Sequence, residues 1–166
     1  MECKRMLLGA AAICLLVVAP IGAAMANCDN GVLLDETFTG DLRVDSDAFR
    51  CSIIGSTIAG DLIVTNVNDL LLLNNKVGGK IKVNGNAKTG TARVIANTVL
   101  SGNLVVEDME TAVVIENETL LGNIRVKNNI TAVVQKNISG LNFTCRNNTD
   151  LDSFFNFAKA SLNCGE

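Results

Sequence analysis

The sequence predicts an all-β fold: a single right-handed parallel β-helix, or solenoid, of about six coils. One phrase recurs along the chain: a Gly, a small polar or basic residue, an aliphatic residue, any residue and then Val. A repeat of about 20 residues with strand-forming side chains is typical of a solenoid, because one such unit cannot bury its apolar face alone. The intervals between the phrase glycines are 20, 19, 23, 20 and 18 residues, and this variation favours right-handed coils over left-handed ones with a strict hexapeptide rhythm. The phrase begins at Gly40, Gly60, Gly79, Gly102 and Gly122, with a degenerate sixth copy at Gly140.

Alternation within the phrase places its aliphatic residue and its Val on the same face of a strand. A second apolar segment follows in each coil, as in Leu71-Leu72-Leu73 and Val113-Val114-Ile115, and a third aliphatic residue precedes the next Gly. Because stacked coils place like residues above one another, we expect three aliphatic columns inside the solenoid. The first column is Leu42, Leu62, Ile81, Leu104 and Ile124, each with the Val two residues later. The third is Ile58, Val77, Val99 or Leu100, Leu120 or Leu121, and Ile138.

A polar residue follows the second apolar segment of each coil. Amides of Asn75, Asn97 and Asn117 are expected to form a ladder at a turn, each bonding to the next coil, since Asn also tolerates left-handed backbone conformations. The alternative is that these amides line a ligand groove. The full set of positions is Ser56, Asn75, Asn97, Asn117 and Lys136.

The sequence pattern of residues 150–166 predicts a structure different from that of the repeats in residues 27–149. Its apolar residues fall at helical spacing, and Asp150 or Asp152 could serve as the N-cap. A short helix lying over the last coil would cover the exposed edge of the sheets. We therefore predict a C-terminal capping helix, with a partner-binding helix as the alternative. The residues at helical spacing are Leu151, Phe154, Phe155, Ala158 and Leu162.

Residues 1–26 have the organisation of a secretory signal peptide. Lys4 and Arg5 precede an apolar run over residues 6–19, and Ala24-Met25-Ala26 is a small-x-small cleavage pattern. The apolar run is shorter than the roughly 20 residues that span a bilayer, which disfavours an N-terminal membrane anchor. A lipoprotein acylated at Cys28 is a weaker alternative. We predict a secreted protein, extracellular, at the cell surface or periplasmic, whose mature chain does not span a membrane.

Four of the six cysteines remain after cleavage: Cys28, Cys51, Cys145 and Cys164. An even number in an exported chain indicates two disulfides. The first two flank the start of the repeats and the last two flank their end. Residues one coil apart stack at about 4.8 Å, close to the Cα separation that disulfides accept. We predict Cys28–Cys51 and Cys145–Cys164, with free buried thiols as the alternative.

The composition argues against most enzyme classes. The sequence has no His, Trp or Tyr, which removes the commonest general base and metal ligand and the usual aromatic platforms for sugars. Cleavage after Ala26 removes Glu2, Lys4 and Arg5, so the mature chain has 12 basic and 16 acidic residues. Its net charge of −4 argues against a nucleic-acid partner. We predict a non-enzymatic protein without cofactor or metal. Its expected partner is extracellular or at the cell surface, and self-association is left open.

Carboxylates are the remaining candidates for acid–base chemistry. Asp41 and Asp61 occupy the same position in successive coils, followed by Lys80. Stacked aspartates could hold a cation or act as a glycosidase dyad. The favoured explanation is a solvated surface column relieved by Lys80.

Two acidic turns and five glycosylation motifs complete the set of candidate sites. The turns, in residues 107–110 and 116–118, could bind Ca²⁺ loosely, although no calcium-repeat pattern is present.

A loop rich in Gly, Asn and Lys is predicted over residues 82–90. The Asn-x-Ser/Thr motifs, which are glycan acceptors in secreted eukaryotic proteins, begin at Asn117, Asn129, Asn137, Asn142 and Asn147.

The repeat resembles that of a group of bacterial secreted solenoid proteins built on Asn-x-Val-x-Gly-Asn-Leu-x-Val coils. The best matches are Asn97-Thr98-Val99-Leu100-Ser101-Gly102-Asn103-Leu104-Val105-Val106 and residues 117–126, each with one extra residue. More distantly, the Gly-Asp-Leu phrase is similar to that of bactofilins, whose right-handed β-helices polymerise end to end. Bactofilins are cytoplasmic and uncapped, whereas this chain carries a signal-peptide pattern. The resemblance covers residues 40–145, implies solenoid geometry and supplies no catalytic residues.

Overall fold

The computed structural model describes residues 24–25, 28, 31–45, 50–85 and 90–164 of the 166-residue chain. These residues form strands and turns, with no helix among them. The strands are β1 (Ala24–Met25), β2 (Gly31–Leu34), β3 (Thr37–Phe38), β4 (Leu42–Asp45), β5 (Cys51–Ile54), β6 (Thr57–Ile58), β7 (Leu62–Thr65), β8 (Asp69–Leu73), β9 (Lys76–Val77), β10 (Ile81–Asn84), β11 (Thr91–Ile95), β12 (Thr98–Val99), β13 (Leu104–Glu107), β14 (Thr111–Ile115), β15 (Glu118–Thr119), β16 (Ile124–Lys127), β17 (Thr131–Gln135), β18 (Ile138–Ser139), β19 (Asn142–Arg146), β20 (Asp150–Phe154), β21 (Phe157–Ala158) and β22 (Ser161–Asn163).

The strands form three parallel sheets that run along the stack of coils. Sheet A has the order β1-β4-β7-β10-β13-β16-β19-β22, sheet B β2-β5-β8-β11-β14-β17-β20, and sheet C β3-β6-β9-β12-β15-β18-β21. Each coil contributes one strand to each sheet, and the register holds from coil to coil. Ile81, for example, pairs with Leu62 on one side and Leu104 on the other. The six predicted coils are present, which confirms an all-β parallel solenoid, and the stack extends beyond them at both ends.

The interior consists of aliphatic columns from sheets A and B, of which the sheet A column is the one that the alternation predicts. The column of Leu42, Leu62, Ile81, Leu104 and Ile124 is fully inaccessible to solvent, at 0% exposure for each residue. Each fully buried Val, Leu or Ile contributes roughly 1.5–3 kcal/mol to folding, so these columns are the main source of stability. The matching column in sheet B is Ile53, Leu72, Val94, Val114 and Val134.

The third column differs from its prediction in the last coils. Ile58, Val77 and Val99 are buried in sheet C as expected. The next two interior positions belong to Thr119 and Ser139, whereas the predicted Leu120, Leu121 and Ile138 are exposed. The two buried hydroxyls are satisfied locally: Thr119 Oγ1 donates to the carbonyl of Gly122 at 3.0 Å, and Ser139 Oγ to that of Asn142 at 2.8 Å. The strand register therefore outweighs hydrophobicity here.

The predicted C-terminal helix is wrong. Residues 150–163 form β20, β21 and β22, which add another coil to the same three sheets. The spacing from Asn148 to Asn156 and on to Leu162 repeats that from Asn129 to Asn137 and on to Phe143. Small or polar residues at inward positions of this coil obscured the repeat and left an accidental helical pattern.

The glycines of the repeated phrase mark close approach of the backbone rather than positive φ. The positive-φ glycines among the described residues are Gly55 and Gly90, neither of which begins a phrase. A Cβ atom on Gly122 would collide with the carbonyl oxygen of Gly102, and one on Gly140 with that of Leu120. The corner from sheet C to sheet A is therefore packed backbone against backbone.

The structure pairs Cys28 with Cys51 and Cys145 with Cys164, the pairing that the sequence predicts. Their Cα atoms are 5.3 Å and 4.6 Å apart, within the range that disulfides accept. One bond lies at each end of the stack, where a solenoid coil has a neighbour on only one side. Two such disulfides indicate an oxidising environment of the extracellular type.

Parts of two predictions lie outside the described residues. These are residues 1–23 and 26 of the predicted signal peptide and residues 86–89 of the predicted loop. Ala24 and Met25, from the predicted cleavage motif, form β1 and pair with Leu42 and Arg43 of β4. Cleavage after Ala26 would therefore remove this edge strand from sheet A. The described part of the chain contains no helix with the length and apolar character to cross a membrane.

Candidate functional site

Asp41 and Asp61 lie in successive coils, at the corner where sheet C leads into sheet A. The backbone N–H of Asp61 donates to Oδ1 of Asp41 at 2.9 Å. The backbone N–H of Lys80 donates in turn to Oδ1 of Asp61 at 2.9 Å, and Lys80 Nζ lies 2.9 Å from Asp61 Oδ2. Each carboxylate thus accepts a hydrogen bond from the backbone of the following coil. The stacking that the sequence predicts is present.

The pKa of Asp61 is below its ordinary value. Partial burial of the carboxyl raises its pKa. The hydrogen bonds from the backbone N–H and ammonium group of Lys80, with the charges of Lys80 and Arg43, outweigh this effect and lower the pKa. A glycosidase dyad requires one carboxyl whose pKa is raised so that it can donate a proton. Asp61 is shifted in the opposite direction, which suits a hydrogen-bond acceptor between coils.

The same corner carries an asparagine ladder in the later coils. Asn123 donates from both its backbone N–H and its side-chain amide to Oδ1 of Asn103, each at 2.8 Å. Asn142 repeats this arrangement on Asn123, at 3.0 and 2.9 Å. Asp41, Asp61, Asn103 and Asn123 therefore occupy equivalent positions in successive coils, and Lys80 occupies this position in the coil between the aspartates and the asparagines.

The predicted asparagine ladder is the most extensive polar feature of the interior. Oδ1 of each asparagine accepts the backbone N–H of the preceding coil's residue, at 2.9 to 3.0 Å from Ser56 to Asn156. Each Nδ2 donates to an interior backbone carbonyl, as Asn117 does to Val94 at 2.7 Å. Asn137, rather than the predicted Lys136, fills this position, because the strand ends at Gln135, the partner of Ile115, and not at the last apolar residue, Val134. The ladder comprises Ser56, Asn75, Asn97, Asn117, Asn137 and Asn156.

A third ladder, not predicted from the sequence, lies at the corner between sheets A and B. Oδ1 of Asn148 accepts from the backbone N–H and the amide of Asn129, at 3.1 and 2.9 Å. Oδ1 of Asn129 accepts the backbone N–H of Met109 at 3.0 Å. The recurrence of Asn 19 residues apart was the available signal. All three ladders use amides to join coils. The amides of Asn75, Asn97 and Asn117 are therefore already hydrogen-bonded, which argues against the alternative that they line a ligand groove.

Glu107 is the most buried carboxylate in the described part of the chain, with a side chain 8% exposed. Its Oε1 lies 3.0 Å from Lys82 Nζ and its Oε2 lies 2.7 Å from Lys127 Nζ. Asn84 Nδ2 also donates to Oε1 at 3.1 Å. Burial raises the pKa of Glu107, but the hydrogen bonds and charges of the two lysines outweigh it and hold the pKa below its ordinary value. Glu107 therefore joins three coils on the outer face of sheet A.

Glu107→Gln is expected to destabilise the protein in a pH-dependent way. A group whose folded pKa is depressed contributes stability above its unfolded pKa and loses it as pH falls through the folded value. The variant should unfold about 1–2 kcal/mol more easily at pH 7, and this difference should shrink below pH 4.5, the ordinary pKa of Glu. Urea unfolding from pH 7 to pH 3 measures it. Glu116→Gln is the matched control, since its pair with Lys136 is exposed, and an equal loss in both variants would contradict the assignment.

The acidic turns do not converge on a metal site. Among the described residues no three His, Cys, Asp or Glu side chains are grouped so that they could hold a metal ion. Glu107 is engaged with lysines, and Glu116 pairs with Lys136 Nζ at 3.3 Å.

Three of the five glycosylation motifs begin at buried ladder residues. Asn117, Asn129 and Asn137 are 0 to 1% exposed, so their amides are inaccessible in the folded protein. Asn142 and Asn147 are exposed, and each amide donates to an asparagine of the preceding coil. Glycan attachment to the folded chain is thus confined sterically to these two positions.

The outer face of sheet B carries an unexpected column of aliphatic residues, here called the apolar strip. Alternation normally places polar residues on the outside, yet five successive coils place an aliphatic side chain there. Its first member, Leu34, is 57% exposed, and the four later members are half-buried. At about 4.8 Å per coil the strip is roughly 19 Å long. It consists of Leu34, Ile54, Leu73, Ile95 and Ile115.

Comparison of the chain with models of protein families, with curated proteins and with solved structures found no match.

Proposed function

We propose that this protein is exported and acts as a non-enzymatic structural or cell-surface interaction module. The signal-peptide pattern of residues 1–26 and the two disulfides support export. The observation that carries the proposed role is the apolar strip on the outer face of sheet B. Sequencing of the exported protein should find Asn27 at its N-terminus. An N-terminus that retains residues 1–26 on the exported chain would contradict this step.

The strip supports an interaction role because it is apolar, continuous and held on a rigid support. Contiguous exposed apolar surface on a soluble protein marks interaction sites. The buried asparagine ladder and the disulfides fix the positions of the strands, so little conformational entropy is lost when a partner binds. The partner that fits is an extracellular molecule with a flat apolar surface of similar length.

An Ile→Glu pair of variants tests this role. Ile95→Glu places a charge in the strip, whereas Ile63→Glu makes the same change on the outer face of sheet A. Mature protein and both variants are used to capture partners from the native exterior, with thermal unfolding as a check of the fold. We expect capture to be lost in Ile95→Glu and retained in Ile63→Glu. Equal capture by the two variants would contradict the role of the strip.

The carbohydrate-active alternative is tested with the same protein. It requires cleavage of a polysaccharide that Asp61→Asn abolishes while the fold persists. The backbone N–H and the ammonium group of Lys80 already occupy the two carboxylate oxygens of Asp61, which argues against polysaccharide cleavage by this residue. Turnover lost specifically in Asp61→Asn would replace the proposed function with an enzymatic one.

The coils are proposed to be right-handed. Crossovers between parallel strands of one sheet are right-handed in about 98% of cases. The variation of 18 to 23 residues between phrase glycines also favours this hand. An experimental density map with left-handed coils would overturn it.

A second candidate function, a self-assembling surface polymer, is favoured by the exposed sheet edges at β20, β21 and β22. Leu162 stacks on Phe143 in the interior column of sheet A and is 51% exposed, since β22 is the edge strand of this sheet in the described part of the chain. Among the described strands, β20, β21 and β22 each pair on one side only, and such an edge is a template for another chain. Sedimentation at increasing concentration should show association that Leu162→Lys prevents. A monodisperse protein at every concentration would exclude this candidate.

A further inference from the structure

We infer that the outer face of sheet A carries a binding site for a phosphate or sulfate ester group on a soluble ligand. The site is a shallow cavity of about 310 Å³ lined by Arg125, Lys127, Thr144 and Arg146, here called the basic trough. It lies on a different sheet from the apolar strip and does not depend on the function proposed for that strip.

Strand alternation brings the cationic groups of the basic trough to one surface. In β16, Ile124 and Val126 are buried, so Arg125 and Lys127 face outward. In β19, Phe143 and Cys145 are buried, so Thr144 and Arg146 face outward. Neighbouring side chains on this grid are separated by about 4.8 Å between coils and about 7 Å along a strand. The rigid sheet thus presents three cations and a hydroxyl together.

The register places two cations directly opposite each other. Lys127 pairs with Arg146 across β16 and β19, and like charges opposite each other on paired strands are destabilising. Lys127 is partly neutralised by Glu107 Oε2 at 2.7 Å. Arg125 and Arg146 form no ion pair with any carboxylate in the described ranges. An anion bound between Arg125 and Arg146 would offset the repulsion among the cations of the trough.

A similar cavity on sheet B contains two arginines whose charges are neutralised by a carboxylate of the same chain. Arg50 and Arg93 line a cavity of about 270 Å³ with Asp69 between them. The Asp69 oxygens lie 3.1 Å from Arg50 Nε and 2.9 Å from Arg93 Nη1. No carboxylate lines the basic trough. Its arginines therefore lack the internal counter-ion that the sheet B pair possesses.

The chemistry of the trough favours a tetrahedral oxyanion. Guanidinium groups donate parallel hydrogen bonds to phosphate or sulfate oxygens, and a threonine hydroxyl adds a further donor. The whole chain has a net charge of −3, which opposes attraction to extended polyanions and to anionic membrane surfaces. Local recognition of one ester group on a soluble ligand is consistent with both facts.

Titration of the disulfide-bonded protein with inorganic phosphate and inorganic sulfate at low ionic strength tests the site. Arginine Nε–Hε signals are followed by NMR. We expect saturable shifts for Arg125 and Arg146, and at least tenfold weaker binding in Arg125→Gln and in Arg146→Gln. Arg146→Lys should recover part of the loss. Arg43→Gln, the same change in the same column of sheet A, should bind within twofold of the parent protein.

The outcomes separate the possible sources of the anion. Small, non-saturable shifts of all arginines alike, or equal weakening by Arg43→Gln, would overturn the site as general ionic screening. Vesicles of phosphatidylserine and phosphatidylcholine are the second probe. Binding to these vesicles without any response to inorganic phosphate or sulfate would overturn the proposal in favour of a membrane surface. A sugar phosphate that competes with inorganic phosphate at the trough supports the soluble ester.

Discussion

Asn117→Asp is expected to lower the free energy of unfolding by about 3–5 kcal/mol, because it leaves an uncompensated charge in the interior. Asn117 Nδ2 donates to the carbonyls of Val94 and Ile115, at 2.7 and 3.0 Å. It also donates to Oδ1 of Asn137 at 3.1 Å. An aspartate has almost the same shape but would place a carboxylate oxygen against these three acceptors. Denaturant unfolding with both disulfides intact measures the loss.

Asn103→Asp is the matched control for this prediction. Oδ1 of Asn103 accepts two hydrogen bonds from Asn123, and an aspartate oxygen can accept both. Asp41 and Asp61 already occupy the same corner in earlier coils. The control should therefore lose less than about 1 kcal/mol. Comparable losses in the two variants would show that the amide donors of the buried ladder contribute little.

Leu104→Ala is expected to cost about 3–4 kcal/mol, in the range measured for fully buried leucines. Leu104 is 0% exposed and lies between Ile81 and Ile124 in the sheet A column. Coils above and below fix the backbone, so the cavity cannot collapse readily. Urea unfolding and the thermal midpoint report the change.

Leu121→Ala makes the same chemical change on the surface. Leu121 is 69% exposed, so its truncation should change the free energy of unfolding by less than about 0.5 kcal/mol. The sequence alone favoured Leu120 or Leu121 as an interior residue, which makes this pair a test of register as well as of burial. A large loss for Leu121→Ala would contradict the placement of Thr119 in the interior.

The repeated pattern was sufficient to predict the coils, the inward column of sheet A and the ladder of Asn75, Asn97 and Asn117. Each depends on local alternation and a constant spacing, both of which are visible in one sequence. The third column could not be predicted in the later coils, because hydrophobicity pointed to Leu120 and Ile138 while the pairing register selects Thr119 and Ser139. Their hydroxyls are acceptable inside only because backbone carbonyls lie within reach, a fact of three-dimensional geometry.

The candidate sites were predicted less completely than the fold. The spacing placed Asp41 beside Asp61 correctly, but only the structure shows that backbone N–H groups and Lys80 occupy their oxygens. The basic trough was not predicted, because Lys127 and Arg146 are 19 residues apart and their pairing depends on the exact length of one coil. The helix predicted for the chain end was wrong because Leu151, Phe154 and Ala158 fall at helical spacing within a coil whose strands keep the register of the coil before it.

The central claim is that aliphatic side chains from successive coils stack into one dry interior column. Methyl-labelled NMR tests it most directly through cross-peaks between Leu62 and Ile81 and between Ile81 and Leu104. These pairs are adjacent in register on sheet A, so strong cross-peaks are expected, with no exchange cross-peaks to water. Methyl groups of Leu62, Ile81 and Leu104 that show no mutual cross-peaks, or that contact water, would contradict the solenoid.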